Sequence, residues 1–122
     1  MALIKSADEI LSKDDFSYAV IDVPEWGGSL RIRSLSGAER TIITKMINQR
    51  KDGDGLFEKL VMLASIDEDG KPLFWDDKQK DVYLKALQGK SAAVTQRVGK
   101  EILKLSGFTE DAVPDVESAE KN

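Results

Sequence analysis

The sequence predicts an α+β fold, mainly helical, in which about four helices pack with a small β-hairpin or sheet near the N-terminus. Three observations predict it. Apolar residues recur at helical spacing in four separate stretches. One of those stretches, residues 56–66, is apolar around most of its circumference, so other elements must cover it on several sides. A single short region, residues 16–33, alternates in the manner of two strands joined by Gly27-Gly28.

In chain order, Ser6 followed by Glu9 matches a capping box, and Ile10 and Leu11 add a small apolar patch. The pattern predicts one or two weakly held helical turns ending near Lys13. Phe16, Tyr18 and Val20 then alternate with Ser17, Ala19 and Ile21, a strand with both faces fairly apolar. Pro24 closes it. In the second strand Leu30 and Ile32 alternate with Arg31 and Arg33, which puts the arginines on the solvent side, paired with acids such as Asp22. Ser36 with Glu39 forms a second capping box and opens a helix to about residue 50, with a stripe of Ala38, Ile42, Ile43, Met46 and Ile47. The KDGDG segment, residues 51–55, reads as a loop.

The apolar stretch comes next, with Leu56, Leu60 and Leu63 in one row and Phe57, Val61 and Ala64 beside it. It predicts a helix through Ile66 at the centre of the core. The turn Asp67-Glu68-Asp69-Gly70 stops that helix, because Gly70 accepts positive φ and Pro72 has no amide proton. Leu73, Phe74 and Trp75 are expected to extend the hairpin or to fill the core, with Trp75 on the core side. Trp26, at a protruding hairpin tip, suits core and partner contact equally. Asp76 or Asp77 caps the next helix, with Val82, Tyr83, Ala86 and Leu87 facing inward. Gly89 ends it, and Ser91 begins a last helix with a stripe of Val94, Val98, Ile102 and Leu105 and with Gly107 as its C-cap. The expected division is a weakly ordered turn at 1–13, one globular domain at 14–107, and an acidic, disordered tail at 108–122.

Composition removes several kinds of chemistry. The chain has no cysteine, which rules out disulfides, thiolate nucleophiles and cysteine zinc sites, and no histidine, the usual general base and commonest metal ligand. Gly89-Lys90-Ser91 invites a phosphate-loop reading, but that pattern needs a glycine where Leu84 stands, and a strand where the chain predicts a helix. A calcium loop begun at Asp52 would place Leu56 at its fifth position, and one begun at Asp67 would place Lys71 there. Both fail. No cofactor or metal is expected. The net charge of -4 sits from Phe108 onward, where five acids face one base, so the remainder is neutral and lacks the basic face a nucleic acid needs. No apolar run is long enough to cross a bilayer, and MALIKSADEI lacks the pattern of a signal peptide, which predicts a cytoplasmic protein.

Lys90, Arg97 and Lys104 fall seven apart, with Lys100 nearby. The default meaning is a solvated helix face. The sharper one is a stripe that receives an acidic segment, from this chain's tail or from a partner.

Three segments together carry a family likeness: PEWGGSLRIRSLSGAER at 24–40, LVMLASIDEDGKPLFW at 60–75, and ILKLSGFTEDA with a tail ending EKN at 102–122. Their order and spacing resemble the tail assembly chaperones of long-tailed (siphovirus-type) bacteriophages and prophages. The resemblance implies a non-enzymatic protein that binds the tape measure protein in the host bacterial cytoplasm. It would keep that protein soluble, help recruit tail tube subunits, and be absent from the mature virion. It also implies self-association and, in many families, a longer frameshifted product, which the acidic tail would suit. Partner contact is expected at Trp26 and in the groove beside the last helix, with Lys90, Arg97, Lys100 and Lys104. The alternative is a small phage-encoded regulatory domain that binds nucleic acid through the helix at 97–104, against which the neutral body counts.

Overall fold

A computed structural model describes residues 1–49 and 55–109. The end of the second helix at residue 50, most of the expected 51–55 loop and the acidic tail beyond Thr109 lie outside the described residues. Within them run helix α1 (Ala7–Leu11), strands β1 (Tyr18–Val23) and β2 (Gly28–Arg33), helices α2 (Gly37–Gln49) and α3 (Leu56–Ala64), strand β3 (Ser65–Ile66), and helices α4 (Lys80–Gln88) and α5 (Ala92–Leu105). This is the α+β, mainly helical arrangement the sequence predicts.

Helix α1 is held at its start by the Ser6 hydroxyl, which accepts from the Glu9 amide, and it buries no side chain. Strands β1 and β2 pair antiparallel with Ala19 opposite Ile32 and Ile21 opposite Leu30, so the inner face is continuous and apolar. The first strand starts two residues later than its alternation suggests, and the Arg33 guanidinium lies over the Phe16 ring ahead of it, 4.8 Å from the ring centre. A 3₁₀ turn, Pro24–Trp26, and Gly27 at φ 86° make the reversal.

Helix α3 is the central element. Leu60 and Ala64 are completely buried and Val61 nearly so. Its fullest packing is against α5, whose buried face is the row Val94, Val98, Ile102 with the adjacent row Thr95, Gly99, Leu103. Leu105, expected in the stripe, is half-buried at the end of the helix, and the fully buried leucine is Leu103. The sequence pattern carries α3 to Ile66, but the helix stops at Ala64. Ser65 and Ile66 are extended and pair with Ile32 and Arg31, so the sheet meets their backbone hydrogen bonds instead. The acidic turn forms as expected, with Gly70 at φ 83° and the Asp67 carboxylate accepting from the Asp69 and Lys71 amides.

The second capping box is reciprocal: Ser36 Oγ accepts from the Glu39 amide and Glu39 Oε1 accepts from the Ser36 amide. Helix α2 buries Ile43, half-buries Met46 and Ile47, and leaves Ala38 and Ile42 exposed. The last helix ends in a Schellman motif. The Phe108 amide donates to the Leu103 carbonyl and the Gly107 amide to that of Lys104, with Gly107 at φ 86°. Arg40 of α2 then covers the Phe108 ring at 4.0 Å and donates to the Ser106 carbonyl at 2.7 Å, tying the two helices together.

The arginines do not pair with Asp22, which accepts from Ser29 instead. Arg31 donates to the Glu68 carbonyl and so holds the acidic turn beside the sheet. Arg33 is not solvated either. Its side chain is 16% exposed and bonds Glu39 in two-point fashion at 2.8 and 2.9 Å, together with the Leu63 and Ser34 carbonyls. One guanidinium therefore joins β2, α2 and α3.

Candidate partner-binding groove

An open groove of about 550 Å³ is built from β2, α3, β3, α4 and the turns beside them. Leu30 of β2, half-buried, and Val61 of α3 and Ser65 of β3, both buried, line it and are termed its floor. Glu25 and Trp26 of the 3₁₀ turn flank it on one side and Tyr83, Ala86 and Leu87 of α4 on the other, with Leu73, Phe74 and Lys90 completing the wall. Phe74 meets Tyr83 edge to face, with ring centres 5.2 Å apart at 75°.

Local sequence explains why the groove stays open. After β3 the chain doubles back, Pro72 bridging Ile66 and the Leu73 amide donating to the Ser65 carbonyl. Asp76 then caps a short 3₁₀ turn through the Lys78 amide, which starts α4. Three consecutive apolar residues between these anchors cannot all turn inward. Phe74 does, Leu73 is 45% exposed, and Trp75, expected in the core, stands 72% exposed. Helix α4 is likewise apolar around more of its surface than it can bury. Leu87 is buried and Tyr83 half-buried, whereas Val82 and Ala86, expected inward, face solvent.

The hairpin tip is clamped across the groove's end. Arg97 of α5 donates to both oxygens of Glu25 at 2.8 Å. Those bonds hold the Glu25 carboxyl down to about 2. Trp26 thus packs against the core on a fixed turn instead of projecting freely. The basic residues picked out by their spacing separate in three dimensions. Lys90 lies in the turn before α5 and lines the groove, Arg97 is engaged by Glu25, and Lys104 faces Glu101 at 3.6 Å. Lys100 is half-buried, and among the described residues neither it nor Lys90 makes an ion pair.

Sequence reasoning found Trp26 and Lys90 but missed the floor. Ser65 is completely buried, and its hydroxyl has no hydrogen-bond partner. Nothing in the sequence marks it, because its position depends on the helix stopping at Ala64, two residues before its expected end. Leu73 was within reach, since a run of apolar residues ahead of a capping aspartate points to surface exposure. Among the described residues no group of three or more acidic side chains could hold a metal ion, and no helix is long and apolar enough to cross a membrane.

No protein-family model matches the chain, and no curated protein sequence matches it. Among solved structures it is similar to the tail assembly chaperone of bacteriophage HK97, with a TM-score of 0.59 and 20% sequence identity over 84% of this chain and 95% of that one. The two share a fold. The resemblance carried by the three sequence segments is thereby borne out at the level of the fold.

Proposed function

We propose that this chain is a phage tail assembly chaperone that acts by non-covalent binding and transforms no substrate. In this reading it binds the tape measure protein in the host bacterial cytoplasm, keeps that long helical chain soluble, and helps bring tail tube subunits onto it. It leaves before the virion is complete. The observation that carries the reading is a fold likeness that spans nearly the whole length of a known tail assembly chaperone. The open apolar groove supports it, because a binder of exposed apolar stripes needs such a surface and no catalytic pocket. Partner contact is assigned to the groove, with Trp26 and Lys90 on its wall, and to Lys100 and Lys104 along α5.

The regulatory reading, nucleic-acid binding through α5, has one of its cations already engaged, since Arg97 bonds both oxygens of Glu25. Co-expression with the tape measure protein of the same phage separates the two. The chaperone reading expects a soluble tape measure protein that co-purifies with this chain. A tape measure protein that precipitates as much with the chain as without it, while the chain retards DNA in a gel, would favour the regulatory reading.

A further inference from the structure

We infer that the groove receives an amphipathic α-helix whose apolar face enters it and whose edge carries a carboxylate that meets Lys90. This deepens the chaperone reading and rests on it only for the identity of the protein that supplies the helix.

The argument for a helix begins with what the groove lacks. A strand would need an open sheet edge, but β3 already has Pro72 bridged to Ile66 and the Leu73 amide bonded to Ser65. What remains is side-chain surface: Trp26, Leu30, Phe74 and Tyr83 around a depression of about 550 Å³. That is the kind of space into which one helix turn lays its apolar residues. Residues beside the lining ones in sequence are also apolar and left out in solvent, Trp75 by 72% and Val82 by 60%.

The sign of the edge charge follows from the wall. Its two charged residues are Glu25 and Lys90. Glu25 has both oxygens taken by Arg97, whereas Lys90 makes no ion pair among the described residues. The groove therefore presents one uncompensated positive charge, and complementarity calls for a carboxylate.

The chain supplies its own reporter, because its two tryptophans are Trp26 in the groove wall and Trp75 next to Phe74. The probe is a short synthetic amphipathic helix with leucines on one face, made with glutamates or with lysines at the edge. The glutamate version should shift tryptophan emission to the blue and bind roughly two- to fivefold tighter than the lysine version, as expected for one partly solvated ion pair. Lys90→Glu should reverse that preference. Ala86→Glu changes an exposed position, should keep the far-ultraviolet circular dichroism of the native chain, and should lose both peptides. Equal binding of the two versions, or undiminished binding to Ala86→Glu, would overturn the inference. So would an emission shift driven by protein concentration alone, which would put a second copy of this chain in the groove. If the tape measure protein co-purifies equally with Ala86→Glu, the groove inference falls while the chaperone reading stands. If the glutamate helix binds with the expected preference but the tape measure protein does not, the groove inference stands and the chaperone reading falls.

Discussion

At Gly99 the last helix carries no side chain because Phe57 of α3 occupies the space. A Cβ there would lie 2.6 Å from Phe57 Cδ1 and 3.2 Å from its Cβ. A glycine inside a helix ordinarily costs about 1 kcal/mol relative to alanine, so Gly99→Ala would stabilise an open site. Here overpacking costs about 1–3 kcal/mol, and three close contacts put it toward the upper end. Gly99→Ala should therefore lower the denaturation midpoint, and Phe57→Leu in the same chain should restore part of the loss. A midpoint that rises would show the two helices to be less closely packed. Leu60, completely buried on α3, gives the larger effect: Leu60→Ala should cost roughly 2–5 kcal/mol in a chemical melt. The two residues differ in how much the sequence discloses. Leu60 belongs to a run of apolar residues on nearly every face, which can only be a buried helix. Gly99 looks like any helix glycine, because Phe57 lies far from it along the chain.

At the scale of elements, the ion pair of Arg33 and Glu39 joins the hairpin to α2, and the further bond from Arg33 to the Leu63 carbonyl reaches α3. Burial pushes the Glu39 carboxyl upward. The Arg33 guanidinium and the Ser36 amide and hydroxyl outweigh it and hold the group below its ordinary value of 4.5. A carboxyl depressed in the folded state contributes stability that is complete above that ordinary value and is lost as pH falls through the folded one. Stability measured by urea melts should therefore fall as pH drops below about 4.5, and Glu39→Gln should make that fall shallower while lowering stability at neutral pH. An unchanged acid limb in Glu39→Gln would mean that other carboxylates govern it. Alternation and capping signals disclosed β1, β2 and all five α-helices of the described residues, and missed β3. They failed where the outcome depends on a neighbouring element. Arg33 is on the outward side of its strand, as its alternation requires. That side is covered because the capping box at Ser36 brings Glu39 over it. Ile66 fits a helix by spacing and a strand by branching, and pairing with β2 decides between them.

For the whole molecule, charge and surface point the same way. Among the described residues, ion pairs join Arg33 to Glu39, Lys80 to Asp77, Arg97 to Glu25 and Lys104 to Glu101. The groove combines apolar walls with Lys90, which makes no ion pair among the described residues, and such a surface is suited to holding another chain. Composition made part of this legible, since a protein without histidine or cysteine and with a neutral body has few routes to catalysis or nucleic-acid binding. The groove itself was not legible, because Trp75, Val82 and Ala86 were expected in the core, and only the doubling back after β3 leaves them outside. The most direct test of the account is the fraction of tape measure protein that stays soluble in a cell lysate. Co-expressed with the native chain, most of it should remain in the supernatant and elute with that chain in size exclusion. A tape measure protein that pellets to the same extent in its presence and absence would contradict the account.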